Sequence, residues 1–386
     1  MNSETSIYLD NAATSWPKPR SVTDDIARFY LELGAAAGRS SSSRTSEVDR
    51  TIEQCRLEIA KLLHANASNI VFCFNGTDGL NLAINGLVRT SQRVVSSILE
   101  HNSVLRPLHE KKRTHQIDLQ LLQCTDSVID LQDCEIKIDG DTDICCVSHV
   151  SNVTGTVQPI QEIAAICKQH DVLLIVDAAQ SVGHIEVNFE SLGADVLVAS
   201  GHKGLLGPLG TGFVCLADRA AQQIQPTRLG GTGTTSESIE QPDQLPYKLE
   251  SGNMNVGGIF GLLAGVRFVM EKGIESLANH EQQLKRELID RIGRAGDVQF
   301  YGTDKDSTGV LSFNIPNQDS QMVAALLDSS FGVQVRAGLH CAPLIHKHLG
   351  TEQLGGTVRV SPGVFNTLEQ IEYCSNAIER LIKQLV

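Results

Sequence analysis

Short apolar runs alternate with longer amphipathic stretches through the middle of the chain. Runs that are apolar on both faces predict strands buried inside the fold, at residues 70–74, 93–97, 144–149, 172–177, 196–200 and 212–216. Apolar residues at helical spacing between these runs predict helices at residues 48–64, 79–87, 160–170 and 189–192. This alternation predicts an α/β fold, in which helices cover both faces of a mostly parallel sheet.

The pattern changes near residue 259. The elements predicted beyond that point are helices at 259–294 and 368–385 and strands at 310–315 and 333–336. We therefore predict two domains. The large domain spans residues 21–258, and a small α+β domain combines residues 259–386 with an N-terminal strap of residues 1–20. Ligands of parallel sheets bind at the carboxyl ends of the strands, so residues that follow the apolar runs are candidates for a site.

Composition and charge disfavour several classes of protein. With 41% hydrophobic and 20% charged residues, the chain of 386 residues is typical of a soluble globular protein. Lys and Arg total 32 against 45 Asp and Glu, and the net charge of −13 argues against nucleic acids or anionic membranes as partners. No apolar run approaches the roughly 18 residues of a membrane-spanning helix. Residues 1–19 lack the basic start and apolar core of a signal peptide, so we expect a cytoplasmic protein.

Two of the apolar runs lead into residues that can bind a carbonyl cofactor. Lys203 follows the run 194–199 in a turn rich in glycine, which allows a ligand to approach the backbone closely. A lysine in a turn is usually a solvated charge, but with a lowered pKa its amine reacts with carbonyl groups. Asp177 ends the run 172–176, where it either caps the next helix or pairs with a ring nitrogen. Pyridoxal phosphate (PLP) needs both residue types, an Asp for its ring nitrogen and a Lys for its aldehyde.

A phosphate site is predicted where the run 70–74 meets the next helix. The connection, residues 75–79, reads Asn-Gly-Thr-Asp-Gly and includes Gly76 and Thr77. Backbone amides at a helix N-terminus, together with the Thr77 hydroxyl, form an anion site, although such turns are common. Ser200 and His202 could supply further donors to the same phosphate.

Two more polar residues are candidates because of their positions, one just after an apolar run and one inside an apolar segment. His101 follows the run 94–99; a histidine there is more often structural, but beside a PLP ring it could stack and transfer protons. Arg359 lies inside the apolar segment 358–360. A buried arginine needs an anionic partner, and a substrate carboxylate is a natural one.

The ten cysteines show no C-x-x-C spacing, which argues against a zinc ribbon or a redox pair. Several lie in apolar runs, where a free thiol acts as a small buried hydrophobe. Cys341 differs because it stands beside Arg336 and His340 in a loop flanked by glycine and proline, and nearby cations make a thiol more nucleophilic. An ordinary loop cysteine is the simpler alternative. A metal site with His346 and His348 is disfavoured because no second thiol is adjacent, and no metal is expected.

Together these motifs resemble the class V, fold-type I PLP enzymes of the cysteine desulfurase family. The segments that carry the resemblance occur in the family's order and are residues 8–14, 175–181, 200–203, 336–342 and 359–361. The likeness covers essentially the whole chain from residue 7. Lys203 and Asp177 are typical of class V PLP enzymes in general. The segment that ends in Cys341 is similar to the desulfurase branch with a short Arg-x-Gly-x-His-Cys loop.

The resemblance implies a large domain with a mostly parallel seven-stranded sheet and a role for each candidate residue. Lys203 would hold PLP until the substrate amine displaces it, and Asp177 would pair with the ring nitrogen. The other implied cofactor contacts are Gln180 to the ring hydroxyl, His101 stacked on the ring, and Gly76, Thr77, Ser200, His202 and Asn253 around the phosphate. The implied substrate contacts are Arg359, which would bind the carboxylate, with Arg336, Asn11 and Asn152, the last of which would lie near the ring oxygen or the substrate carboxylate. Cys341 would attack the sulfur of L-cysteine, which leaves alanine and a persulfide on Cys341.

The chain departs from the family at two places. Asn253 stands where a Thr usually reaches across a dimer interface to the partner's phosphate; its amide can still donate. Phe74 and Asn75 precede Gly76 where small or hydroxyl residues are commoner. Neither change affects Lys203 or Asp177.

We predict a cysteine desulfurase that supplies sulfur for iron–sulfur clusters or other thiocofactors. The alternatives are a selenocysteine lyase, a cysteine-sulfinate lyase, another class V aminotransferase or epimerase, and a PLP-binding protein that acts only through partners. Cys341 disfavours an aminotransferase or an epimerase, which has no use for a loop thiol. The resemblance also implies a homodimer and a sulfur-acceptor protein that docks near Cys341.

Overall fold

The computed structural model describes residues 6–38, 42–234, 237–303 and 305–385. The strands are β1 (Ile7–Tyr8), β2 (Ile70–Cys73), β3 (Gln92–Ser97), β4 (Ile117–Leu122), β5 (Cys124–Thr125), β6 (Val128–Ile129), β7 (Thr142–Ser148), β8 (Leu173–Asp177), β9 (Val196–Ser200), β10 (Gly212–Leu216), β11 (Gln299–Tyr301), β12 (Leu311–Asn314), β13 (Val333–Gln334), β14 (Arg336–Gly338) and β15 (Thr357–Val360). The helices are α1 (Arg20–Arg28), α2 (Ser43–Leu63), α3 (Gly76–Leu87), α4 (Asn102–Arg113), α5 (Leu131–Lys137), α6 (Ile160–Gln169), α7 (Phe189–Leu192), α8 (Asp218–Gln223), α9 (Val256–Lys272), α10 (Ile274–Ala295), α11 (Ser320–Phe331), α12 (Pro343–Leu349) and α13 (Leu368–Leu385). None of these helices combines the length and the apolar character needed to cross a bilayer.

A seven-stranded sheet in the order β2-β10-β9-β8-β7-β3-β4 forms the centre of the fold. The pairs among β9, β8, β7, β3 and β4 are parallel, and β10 runs antiparallel to both of its neighbours. Parallel neighbours need crossover connections, and helices supply several of them on both faces of the sheet. The predicted α/β fold with a mostly parallel seven-stranded sheet is therefore confirmed.

The central strands are buried on both faces, which explains their continuous apolar sequences. Every residue of β8, β9 and β10 is buried. Successive residues of β9 point to opposite sides, so that Leu197 and Val198 belong to different apolar clusters. The strand is therefore closed to solvent on both faces, and its polar ends alone remain free to form a site.

A second, four-stranded antiparallel sheet has the order β11-β12-β15-β14. Its core joins apolar residues of β12 and β15 with those of α10, α11 and α13. The start of the chain belongs to this unit, because β1 pairs with β13 in parallel and Leu9 is buried in the same core. This placement supports the predicted attachment of the N-terminal strap, of which residues 1–5 lie outside the described chain.

The structure corrects several element boundaries. The helix predicted at 259–294 is two helices, because Gly273 with φ of 80° ends α9 and begins α10. The strand predicted at 333–336 is likewise divided between β13 and β14. Apolar residues of α9, such as Phe260, pack into the core of the large sheet. The division into two domains stays a prediction, and this packing favours a boundary at Gly273 rather than near residue 259.

A buried ion pair joins the two units. His184, in the segment after β8, bonds through Nδ1 to Oε2 of Glu281 on α10 at 2.9 Å, and both side chains are largely buried. Burial alone would lower the pKa of His184, but the charge of Glu281 and its hydrogen bond raise that pKa above its ordinary value. The pair therefore favours the charged form of His184.

We expect Glu281→Gln to lower the free energy of unfolding by about 1–3 kcal/mol near pH 6, because the amide oxygen of Gln can still accept from His184 but no longer carries the charge that stabilises the protonated ring. A histidine pKa that is raised in the folded state stabilises the fold fully below the unfolded pKa of about 6.5. That stabilisation disappears as the pH rises through the folded-state pKa. The difference between wild type and variant should therefore shrink by about pH 9, as measured by urea denaturation.

The matched control is Glu275→Gln, at the exposed start of the same helix. Its effect should stay within about 1 kcal/mol at both pH values, because only a helix-dipole contribution changes. A loss of stability in Glu281→Gln that is independent of pH would show that His184 is neutral in the folded protein.

Candidate active site

A cavity of about 680 Å³ lies at the carboxyl ends of the large sheet and extends to the edge of the small one. It brings together most of the residues predicted from sequence. Those that line it are Gly76, Thr77, His101, Asn152, Asp177, Gln180, Ser200, His202, Lys203, Arg336 and Arg359. These residues are spread over roughly 300 positions of sequence, yet they line one cavity. This agrees with the expectation that ligands of parallel sheets bind at the carboxyl ends of the strands.

Asp177 and Lys203 meet because β8 and β9 are parallel neighbours. Asp177 is the buried last residue of β8, and its Oδ1 accepts a hydrogen bond from the Ala179 amide at 3.0 Å. Burial raises its pKa, which the Ala179 hydrogen bond and the charge of Lys203 oppose. Burial also lowers the pKa of Lys203 to about 8, while Asp177 acts in the opposite direction. The site thus holds a carboxylate that favours a cationic partner and an amine that readily becomes neutral.

The helix that follows β2 begins earlier than predicted, at Gly76 rather than near residue 79. Asn75 caps it by accepting from the Asp78 amide, so Gly76 and Thr77 lie in its first turn. The Gly76 amide donates to Oγ of Ser200 at 3.2 Å, and a Cβ at Gly76 would come within 2.7 Å of that oxygen. Glycine therefore lets the helix N-terminus approach Ser200, and together they form a cradle for an anion.

His202 completes this cradle as a neutral donor or acceptor. Burial, with the charges of Lys203 and Lys18, lowers its pKa to about 4. Its buried Nδ1 has no protein partner among the described residues. A buried ring nitrogen without a partner is costly, so this atom fits a ligand such as a phosphate group.

His101 is held in place by Ser103, two positions later in the chain. It is the N-cap of α4, and its Nδ1 accepts from the Ser103 amide at 3.1 Å. A neutral ring with Nδ1 as acceptor carries its proton on Nε2. Burial, followed by the charge of Lys203, lowers the pKa of His101 to about 4 and keeps the ring neutral. The Ser103 hydroxyl also bonds to Oγ1 of Thr77 at 2.7 Å, which links the histidine to the anion cradle.

Three further residues of this segment contribute to the site and were not predicted from the sequence. Besides Ser103, Glu100 is fully buried, and its carboxylate accepts from the Ser97 hydroxyl and from both the amide and the hydroxyl of Ser148. Burial raises its pKa to about 7. The Asn102 amide donates to the Cys341 carbonyl at 2.7 Å. The contact of Ser103 with the N-cap residue His101 is local, so it could have been predicted from the sequence. The contact of Asn102 with Cys341 joins residues far apart in the sequence, so no local pattern predicts it.

The N-terminal strap covers one side of the cavity. Gln180 donates through Nε2 to the Ala12 carbonyl at 2.8 Å, so it binds the strap. Asn11 was predicted to contact substrate, but it does not line the cavity. Its amide nitrogen donates to the Ser361 carbonyl and its Oδ1 accepts from the Trp16 amide. The structure therefore favours a role for Asn11 in holding the strap rather than the substrate.

Arg359 lies on β15 with only 1% of its surface exposed. Its Nη2 donates to Oδ1 of Asp10 at 2.7 Å, and its Nη1 donates to the Asn152 carbonyl at 2.9 Å. Its buried Nε has no partner among the described residues. A carboxylate that enters the cavity could satisfy the remaining donors, in agreement with the predicted role of Arg359.

Cys341 is the exposed cysteine, whereas the other nine are buried. Its Sγ lies 3.5 Å from Nη2 of Arg336, beside the cavity. His340 and Cys341 both adopt left-handed conformations, with φ of 48° and 60°. The turn is fixed from two sides, because Asn102 binds the Cys341 carbonyl and Nδ2 of Asn152 donates to the His340 carbonyl at 2.6 Å. The turn therefore holds the thiol beside the cavity, and two hydrogen bonds fix its backbone.

Two other predictions concern residues outside this cavity. Asn253 is exposed and lines a separate cavity of about 430 Å³ with Arg56 and Glu250. Asn253 is therefore not among the residues that line the first cavity in this chain. His346 is buried and bonds through Nδ1 to Thr351. No cluster of three or more metal-binding side chains is present in the described ranges.

Comparisons with known proteins agree with this architecture. The aminotransferase class-V family matches residues 7–374. A probable cysteine desulfurase of Methanothermobacter thermautotrophicus is 34% identical over 380 residues, which cover 97% of this chain and 94% of the relative. A probable cysteine desulfurase of Pyrococcus abyssi is 33% identical and is covered to 95%, with 98% of this chain matched. The apo structure of a cysteine desulfurase from Thermococcus onnurineus superposes with a TM-score of 0.92 at 33% identity, covering 98% of this chain and 95% of that one.

The environment of Lys203 predicts an unusual reactivity with aldehydes. In protein without bound cofactor, reductive methylation of Lys203 should show a midpoint near pH 8. The midpoint for surface lysines should lie at about pH 10.4, their ordinary pKa. Asp177→Asn should move this midpoint to lower pH, because the charge of Asp177 raises the pKa of Lys203. Mass spectrometry of the modified peptide at a series of pH values measures both midpoints.

Asp290→Asn, on the exposed face of α10, is the matched control and should leave the midpoint of Lys203 unchanged. A midpoint for Lys203 equal to that of the surface lysines would contradict the desolvated site.

Proposed function

The chain belongs to the class-V aminotransferase family, and we propose that it is a PLP-dependent cysteine desulfurase. It converts L-cysteine to L-alanine and transfers the sulfur to Cys341 as a persulfide. The observation that carries this proposal is the position of Cys341, an exposed thiol held beside Arg336 at the rim of the cavity that contains Lys203 and Asp177. The names of the relatives support the same activity. Sulfur for iron–sulfur clusters or other thiocofactors is the use we propose for the product.

The residues of the cavity fit PLP. The Lys203 amine would hold the aldehyde, Asp177 would pair with the ring nitrogen, and His101 would lie against the ring. The cradle of Gly76, Thr77, Ser200 and His202 would hold the phosphate. The partnerless Nδ1 of His202 and the close approach of Gly76 to Ser200 support this assignment. When bound, PLP supplies an electron-accepting ring that stabilises negative charge on the substrate carbon next to the amine.

The side chains of the protein bind the substrate and move its atoms. Arg359 holds the carboxylate of L-cysteine through the donors that protein groups leave free. Lys203, with its pKa lowered to about 8, gives up and accepts protons near neutral pH. The Cys341 thiolate attacks the substrate sulfur, so that a sulfur–sulfur bond forms and the carbon–sulfur bond breaks. The electron pair of the broken bond stays with carbon, which takes up a proton and leaves as L-alanine.

We also propose two protein partners. An acceptor protein would take the persulfide sulfur, since the exposure of Cys341 leaves the thiol within reach of a docked molecule. A second copy of the chain would form a homodimer, in which Asn253 reaches the phosphate of the neighbouring subunit. The position of Asn253 outside its own subunit's cavity supports this arrangement.

Cys341→Ser should lower sulfide release from L-cysteine by about 100-fold or more with dithiothreitol present, because the hydroxyl cannot accept sulfur. The visible absorption band of bound PLP should remain in this variant and should be lost in Lys203→Ala. Sulfide and alanine assays, with the spectrum recorded beforehand, provide the measurement. Cys124→Ser, at a cysteine on β5 outside the cavity, is the control and should retain activity within about twofold.

Other outcomes would identify other enzymes. Unchanged sulfide release by Cys341→Ser would indicate a lyase or an aminotransferase in which Cys341 is an ordinary loop thiol. Retained turnover of L-selenocysteine by Cys341→Ser, with little turnover of L-cysteine by wild type, would indicate a selenocysteine lyase.

Asn253→Ala should raise the dissociation constant of PLP by about 10- to 100-fold, the value of one hydrogen bond to a charged group, without dissociating the dimer. Asn253→Thr should restore the affinity, because a hydroxyl can donate to the same phosphate. Equilibrium titration of PLP and analytical ultracentrifugation measure the two quantities. A monomer with full affinity for PLP would refute the shared site.

A further inference from the structure

The guanidinium of Arg359 already has a carboxylate partner inside the protein. Asp10 Oδ1 accepts from Nη2 at 2.7 Å, a short distance typical of a hydrogen bond between charged groups. The Asp10 side chain is about one-fifth exposed, whereas that of Arg359 is almost completely buried. The pair therefore places a fixed negative charge at the guanidinium that the proposed substrate must approach.

Two of the donors of Arg359 are used within the protein. A guanidinium has five N–H donors. Asp10 and the Asn152 carbonyl take one each, on Nη2 and Nη1, which leaves Nε–H and one N–H on each Nη. The Nε atom is buried and has no partner in the part of the chain that the structure describes. Arg359 thus keeps free donors in a group whose orientation is fixed at two points.

Asp10 is itself held firmly by its backbone. Asp10 forms an isolated bridge with Ser361, next to β15, and the hydroxyl of Tyr8 donates to the Asp10 carbonyl at 3.0 Å. The following residue, Asn11, donates through its side chain to the Ser361 carbonyl. The backbone is therefore positioned independently of the Asp10 carboxylate, so a change of that side chain can be made without removing the anchors of the strap.

We propose that Asp10 is a positioning residue for substrate binding, which holds Arg359 in the orientation that receives the carboxylate of the amino-acid substrate. A guanidinium held on one side only by the Asn152 carbonyl could rotate, and its free donors would then lose alignment with the cavity. Asp10 also balances part of the charge of Arg359 while no substrate is bound, which lowers the cost of burying it. The inference rests on the proposed function, since it assigns the carboxylate at Arg359 to the substrate.

The proposal predicts a graded effect on substrate affinity. Asp10→Ala should raise KM for L-cysteine about tenfold or more, because the hydrogen bond that aligns Arg359 is lost. Asp10→Asn, whose amide oxygen can still accept from Nη2, should stay within about threefold of wild type. The kcat of both variants should stay within about threefold, because the residues that act on the substrate sulfur are unchanged.

The experiment combines kinetics with a binding measurement that needs no turnover. Sulfide release gives KM and kcat for the PLP-loaded enzyme, and calorimetric titration gives the dissociation constant of L-alanine, the proposed product. The constant for L-alanine should follow the same order as KM. Asp24→Asn is the matched control, because Asp24 also pairs with an arginine, Arg20, but on the exposed surface. Thermal denaturation and the absorption of bound PLP show whether each variant is folded and loaded.

The possible results separate the inference from the proposed function. If wild type releases sulfide but Asp10→Ala leaves KM and L-alanine binding within twofold, Asp10 does not position Arg359. If Asp10→Asn fails as completely as Asp10→Ala and both lose PLP, the role of Asp10 is structural and the proposal is overturned. If wild type binds L-alanine in an Asp10-dependent way but releases no sulfide, the proposed reaction is wrong while the positioning role stands.

Discussion

A guanidinium that folding removes from water needs partners inside the protein, because an uncompensated buried charge costs several kcal/mol. Arg359 meets this requirement through Asp10, 349 positions away in sequence, and through the Asn152 carbonyl, 207 positions away. The N-terminal strap, the loop after β7 and the small sheet must therefore meet at one side chain. Other contacts of the site lie at the same junction, such as that of Gln180 with the Ala12 carbonyl.

Asn152 connects Arg359 to the turn that carries the Cys341 thiol. Its carbonyl holds Arg359, and its side-chain nitrogen donates to the His340 carbonyl in the turn that carries Cys341. The remaining atom, Oδ1, is buried without a partner in the described ranges. One residue of the large sheet's loop thus links the group that would bind the substrate carboxylate to the group that would receive its sulfur.

The sequence predicts those features that depend on local pattern or on strand ends. Runs such as 196–200 coincide with strands because both faces are buried, and Lys203 and Asp177 lie together because parallel strands end at one edge. Features set by distant contacts were missed. The helix was predicted to start near residue 79 rather than at Gly76; the Asn75 cap is a local signal that was not used, whereas the contact of Gly76 with Ser200 depends on the fold. The bonds of Asn11 within the strap have no local signature either.

In the proposed reaction, the turn at Cys341 would determine how sulfur leaves the site. Since Asn102 and Asn152 bind the backbone carbonyls of Cys341 and His340, rotation about the Cα–Cβ bond moves Sγ without breaking either hydrogen bond. By that rotation alone, a sulfur atom carried on Cys341 would travel less than the length of one side chain. Delivery therefore depends on the reach of the recipient. This geometry would favour partners whose receiving atom projects on a loop or a flexible tail that reaches the exposed Cys341 thiol.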